Sequence, residues 1–129
     1  MRALPAARQP EPRPDLKASD DIIERQRHMA DKVAVTATML IHPDKIDAAL
    51  NLVRRFQEET ARYPGLIVVR ALHDAREPTR LMFYTEFENR DAAESYVGWR
   101  RARGDFEQLS GMLVAPAQTQ SWSTVIEPA

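Results

Sequence analysis

The chain has 129 residues, enough for one domain with its own hydrophobic core, since domains cluster at about 100 to 150 residues. Its 18 basic and 19 acidic residues nearly cancel, which excludes the broad positive field that holds nucleic acid or an anionic membrane surface. The absence of cysteine removes disulfides, thiolate nucleophiles and thiolate metal sites together, and fits a cytoplasmic protein. No stretch approaches the roughly 20 apolar residues that span a bilayer, and the N-terminus lacks the apolar core of a signal peptide, so a soluble protein is expected.

Residues 1–18 begin with Pro5, Pro10, Pro12 and Pro14 among Ala, Arg and Gln, a composition that blocks helix and ladder hydrogen bonding and predicts a disordered tail. A helical arm is expected over 19–32: Ser19 can cap it, Asp20 and Asp21 suit its first turn, and Ile22, Ile23 and Met29 give it an apolar edge. That arm either docks on the domain or a partner subunit, or frays at the surface.

The folded domain is expected over 33–126. Val33 to Ile41 is a first strand, apolar at 33, 35, 37, 39 and 41 with Thr36 and Thr38 on the opposite face. His42-Pro43-Asp44 opens a helix whose stripe is Ile46, Ala49, Leu50, Val53, Phe56, Thr60 and Tyr63, and Pro64-Gly65 stops it. Leu66 to His73 and Thr79 to Phe87 follow, joined by the turn Asp74 to Pro78. Both strands carry large residues on both faces, so they read as a hairpin at the centre of a sheet. Asn89 or Asp91 can cap a second helix with Ala92, Ala93, Tyr96, Val97 and Trp99 or Arg100 on its buried edge, ended by Gly104. Further helical turns over Asp105 to Met112 precede a last strand, Gln118 to Ile126. The order βαββαβ predicts an α+β fold. One helix layer shields only one face of a sheet, so a second subunit is the expected cover for the other.

No glycine-rich dinucleotide fingerprint, Walker loop or His-Glu-x-x-His pair is present. His28, His42 and His73 are scattered without ligand spacing, so no metal site is expected.

Pro64-Gly65-Leu66, Glu86-Phe87-Glu88-Asn89, Ala92 to Tyr96, and the stretch from Tyr96 through Arg101 to Phe106 resemble the antibiotic-biosynthesis monooxygenase family over essentially all of residues 33 to 126. The resemblance implies a ferredoxin-like protomer that forms a homodimer, a dimeric α+β barrel, by packing open sheet faces together. It also implies a cofactor-independent monooxygenase that oxidises a polycyclic phenol or quinol of polyketide type with molecular oxygen. An electron-rich phenolate or its carbanion form can itself pass an electron to oxygen, so the protein need only bind, deprotonate and shield a small aromatic substrate, with no cofactor.

Two positions depart from the family pattern: Phe87 stands where tryptophan is usual, and Tyr96 where histidine is frequent. Haem degradation, which uses those two residues and an asparagine, is therefore disfavoured. The departures also motivate two other readings: a dimeric binding module without oxygenase chemistry, or an isomerase, cyclase or lyase on the same barrel.

The resemblance and the residue types together nominate Tyr96 and Arg70 as catalytic, with Thr36, Thr38, Phe83, Phe87, Trp99, Phe106 and Trp122 lining a substrate pocket. Each has a plainer alternative. Arg70 lies mid-strand among apolar neighbours and must reach a partner such as Glu86, or a wet cavity. Tyr96 either hydrogen-bonds or deprotonates a phenol, or packs with its hydroxyl satisfied, and the two tryptophans either stack on a ligand or fill the core and interface. The cluster Arg100, Arg101 and Arg103 either grips an acidic group or, with Asp105 and Glu107 nearby, is a solvated helix end, the plainer reading.

Overall fold

In a computed structural model of the chain, residues 31–126 are described. The expectations for the tail over 1–18 and for almost all of the arm over 19–32 lie outside those residues. Strand β1 (Val33–Leu40) leads through a 3-10 turn (Pro43–Lys45) into helix α1 (Ile46–Thr60). Strands β2 (Leu66–His73) and β3 (Arg80–Phe87) follow, then helices α2 (Arg90–Ala102) and α3 (Asp105–Ser110), and strand β4 (Gln118–Ser123). The fold is α+β, as the element order predicts, and ferredoxin-like, as the family resemblance implies.

The four strands form one sheet in the order β2-β3-β1-β4, with every neighbouring pair antiparallel. Here the structure corrects the sequence: β2 is an edge strand, and the centre is β3 and β1. β3 returns from its hairpin into the space between β2 and β1 and pairs with both, so β2 keeps one unpaired edge.

Period-two alternation then sorts the side chains. Val33, Val35, Ala37 and Met39 of β1 and Leu81, Phe83 and Phe87 of β3 belong to the packed helix-covered face. The register pairs Thr36 with Tyr84 and Thr38 with Met82, so those residues share the other, open face with Val68, Arg70 and Leu72 of β2. Leu72 is 46% exposed and Trp122 50%.

α1 buries Ala49, Leu52, Val53, Phe56 and Thr60, one stripe at steps of three and four. Leu52 replaces the expected Leu50, which is 39% exposed. Tyr63 lies past the helix end and joins an aromatic group with Tyr96 and Trp99. At the α1–β2 turn Gly65 has φ +87°, and a Cβ there would stand 2.7 Å from the Ala92 side chain of α2. Both the left-handed backbone and the close approach demand glycine. Asn89 is the cap of α2, its side chain accepting from the Ala92 N–H at 2.8 Å. Between β2 and β3, Asp74 accepts from the backbone N–H groups of Arg76 and Glu77, which hold its carboxyl below the ordinary range. The last strand stops at Ser123 rather than Ile126, and all six of its residues are exposed.

Candidate functional site

The helices cover their face of the sheet unevenly. α1 and α3 pack on Met39, Ile41 and Leu81, and α2 packs on Val33 and Phe87. Between these two clusters the sheet presents Val35, Ala37, Thr119 and Ser121, which are too short to fill the space under α2 and α3. A cavity of about 410 Å³ remains, floored by those residues with Phe83 and Thr85, and walled by Tyr96, Val97 and Arg101 of α2 and Phe106, Leu109 and Ser110 of α3. A 50 Å³ recess continues from it towards Phe56 and Arg100. Outwards it joins an open cleft of about 530 Å³ between α2 and β4, which shares Val35, Val97, Arg101 and Ser121 and adds Arg90, Glu94 and Ser123. Concave, mainly apolar spaces of roughly 300–1,000 Å³ are the usual size for small-molecule sites.

Three hydroxyls of the cavity lining are already engaged. Thr85 Oγ1 donates to the Val35 carbonyl at 3.0 Å, and Ser110 Oγ donates to the Glu107 carbonyl at 2.8 Å. Tyr96 Oη lies 2.8 Å from Thr60 Oγ1 and accepts from Arg100 Nε at 3.0 Å. Arg101 differs: it is the one charged residue lining the cavity, and it makes no ion pair among the described residues. Its guanidinium carbon stands 5.9 Å from the centre of the Phe106 ring.

Behind Tyr96 lies the feature that the sequence concealed. Arg100 is only 2% exposed, not part of a solvated helix end. Its Nη1 donates to Glu59 at 2.8 Å and Asp105 at 2.9 Å, its Nη2 to the Phe56 carbonyl at 2.8 Å and Thr60 at 2.7 Å, and its Nε to Tyr96. All five donors of the guanidinium are thus used. Burial by itself would lower the pKa of Arg100, but its bonds to Tyr96, Glu59 and Asp105 outweigh that and hold it above its ordinary value. The bond from Arg100 also holds the Glu59 carboxyl below its ordinary 4.5, against the opposing effect of burial and with further help from Arg103. Arg103 reaches Glu59 at 3.2 Å and Asp105 at 3.6 Å. The network pins α1, α2 and α3 together and fixes the back wall of the cavity. The physical reason for the burial is helical spacing: Arg100 follows Ala93 and Tyr96 on the same face of α2.

Of the nominated residues, Tyr96, Phe83 and Phe106 meet at the cavity. Phe87 is fully buried beside Tyr96, with ring centres 5.1 Å apart, and Trp99 packs on Tyr63 at 5.2 Å. Neither lines the cavity. Thr36, Thr38, Arg70 and Trp122 are on the open face, because each is out of phase with the residues that floor the cavity. There Trp122 Nε1 donates to Thr36 Oγ1 at 3.0 Å. Arg70 pairs in register with Tyr84 and forms no ion pair with Glu86, which accepts from Tyr84 Oη at 3.1 Å instead. Burial first, and then Glu86, push the Tyr84 hydroxyl above its ordinary pKa. Sequence reasoning missed Leu109, Thr119 and Ser121 as wall and floor, and raised Arg101 only as one of a cluster of three arginines. Arg101 could have been noticed as the cation one turn beyond Val97. The described residues hold no group of three or more His, Asp or Glu arranged for a metal ion, and no helix among them is long and apolar enough to cross a membrane.

Among solved structures, a conserved protein from Methanosarcina mazei Go1 superposes with a TM-score of 0.71 at 18% identity, over 78% of this chain and 99% of that one. Rv0793 from Mycobacterium tuberculosis gives 0.69 at 19% identity, over 76% and 99%. A mutant of SnoaB from Streptomyces nogalater, a cofactor-independent oxygenase, gives 0.66 at 13% identity, over 76% and 97%. At these identities the likeness establishes the fold. No curated protein matches at the level of sequence. The family model for antibiotic biosynthesis monooxygenase matches residues 32–102, more than half of the chain, from β1 to the end of α2. The chain belongs to the antibiotic biosynthesis monooxygenase family.

Proposed function

We propose that the protein is a cofactor-independent monooxygenase that oxidises a polycyclic phenol or quinol in the cavity between the sheet and helices α2 and α3. The observation that carries this reading is the cavity itself: about 410 Å³ of space bounded by Phe83, Tyr96, Phe106 and Leu109, in a chain of this family. Its mouth opens to water beside Arg101, so the substrate proton can leave there while the ring stays shielded. With an anthrone as substrate, loss of a proton from the reactive carbon gives a carbanion, which passes one electron to oxygen. Combination of the two radicals and uptake of a proton give a hydroperoxide, and loss of water leaves a carbonyl. One oxygen atom enters the product and the other leaves as water. The protein contributes orientation, desolvation and stabilisation of the anion. Tyr96 serves as wall, with its hydroxyl tied to Thr60 and Arg100. Oxygen uptake with formation of the quinone should accompany addition of metal-free protein to anthrone in air. An absence of any rate above buffer across a panel of anthrones and related phenols would overturn the reading.

The protomer is proposed to work as a homodimer through its open sheet face. Leu72 and Trp122 lie exposed there alongside Val68 and Met82, an apolar surface that an isolated protomer leaves in water. A solution mass near 14.7 kDa by light scattering at micromolar concentration would exclude it.

A further inference from the structure

The cavity offers a ligand two chemically different ends. Towards the back, three hydroxyls of the wall are spent on the protein: Thr85 on Val35, Ser110 on Glu107, and Tyr96 on Thr60 and Arg100. A mainly apolar ring loses little there. At the mouth stands Arg101. The carboxylates that could have paired with it, Glu59 and Asp105, are both taken by Arg100 and Arg103. Farther out, Arg90 and Glu94 line the same cleft, so its charged lining among the described residues is two arginines against one carboxylate, and Arg101 is the one that stands where cavity and cleft join. Its position beside the Phe106 ring keeps the planar guanidinium next to the apolar wall.

We propose that the natural ligand is an aromatic carboxylic acid, its ring in the inner cavity and its carboxylate docked on Arg101 at the mouth. This rests on the cavity being the substrate site and adds to it the class of substrate. A carboxylate and a guanidinium match as a bidentate pair, so Arg101 selects a permanently ionised group and sets which edge of the ring faces inwards. The hydroxyls of Ser121 and Ser123 on β4 face the same cleft and suit the remaining carboxylate oxygens or a polar tail.

The test is calorimetric titration of the full chain, in oxygen-free buffer, with 6-hydroxy-2-naphthoate and with its neutral isostere 6-hydroxy-2-naphthamide. The acid should bind about tenfold tighter than the amide, as expected for a charge-assisted pair at a partly exposed site. Arg101→Gln should abolish that preference, weakening the acid far more than the amide, Arg101→Lys should keep part of it, and Arg90→Gln should lower it far less than Arg101→Gln does. Equal affinity for the two probes, a preference that survives Arg101→Gln, or no binding of either probe would overturn the proposal. Oxygen consumption with a neutral anthrone needs no carboxylate, so protein that turns over anthrone but fails this titration loses the substrate class and keeps the oxygenase reading.

Discussion

Arg100 and Arg101 are neighbours on α2, and the surroundings of their side chains are opposite. Towards α1 and α3 the space is dry and filled: Arg100 uses every donor, on Glu59, Thr60, Tyr96, Asp105 and the Phe56 carbonyl, and stacks over Phe56 with its centre 4.5 Å away. Towards β4 the space is empty, and Arg101 has no carboxylate partner among the described residues. The difference shows a division of labour within one helix. A fully satisfied buried charge locks three helices in register, and that rigidity keeps the neighbouring gap open without side chains falling into it.

Breaking the filled side should have the largest effect. Arg100→Met leaves Asp105 buried, with only its longer contact to Arg103, and should cost about 3–5 kcal/mol of stability, read as a lower urea midpoint. Tyr96→Phe removes one acceptor and leaves Arg100 Nε–H without its partner, which should cost about 1–3 kcal/mol by the same measurement. Glu59 contributes through its lowered pKa: its stabilisation is fully present above the ordinary 4.5 and is lost as pH falls through the lower value of the folded state. Glu59→Gln should therefore be less stable than wild type at pH 7, with the gap closing towards pH 3 in denaturation curves taken across that range. The smallest effect belongs to the empty side. Arg101→Gln should change stability by no more than about 0.5 kcal/mol, because the structure gives its guanidinium no carboxylate partner to lose. A large destabilisation there would show that the two sides are not distinct.

Much of the fold was legible along the chain. The alternation in Val33 to Ile41, the stripe through Ala49, Val53 and Phe56, the stop at Pro64-Gly65 and the cap at Asn89 are all local patterns, and each element formed where its pattern lies. The edge position of β2 was not legible, since apolar residues on both faces are equally compatible with a central strand and with an edge strand whose open face awaits a second cover. The site was legible only in part. Phe83, Tyr96 and Phe106 converge on the cavity, whereas Arg70, Thr36, Thr38 and Trp122 fall on the opposite face.

By itself the sequence determined the βαββαβ order, the family, and which residues of each strand share a face, because these follow from periods within an element and from motifs along the chain. The tertiary structure alone decided that Arg100 is sealed in a network and Arg101 left without a carboxylate among the described residues. Their neighbours in sequence are nearly the same, but partners such as Glu59 and Thr60 arrive from a helix some 40 residues away, and only packing brings them to one side of α2 and not the other.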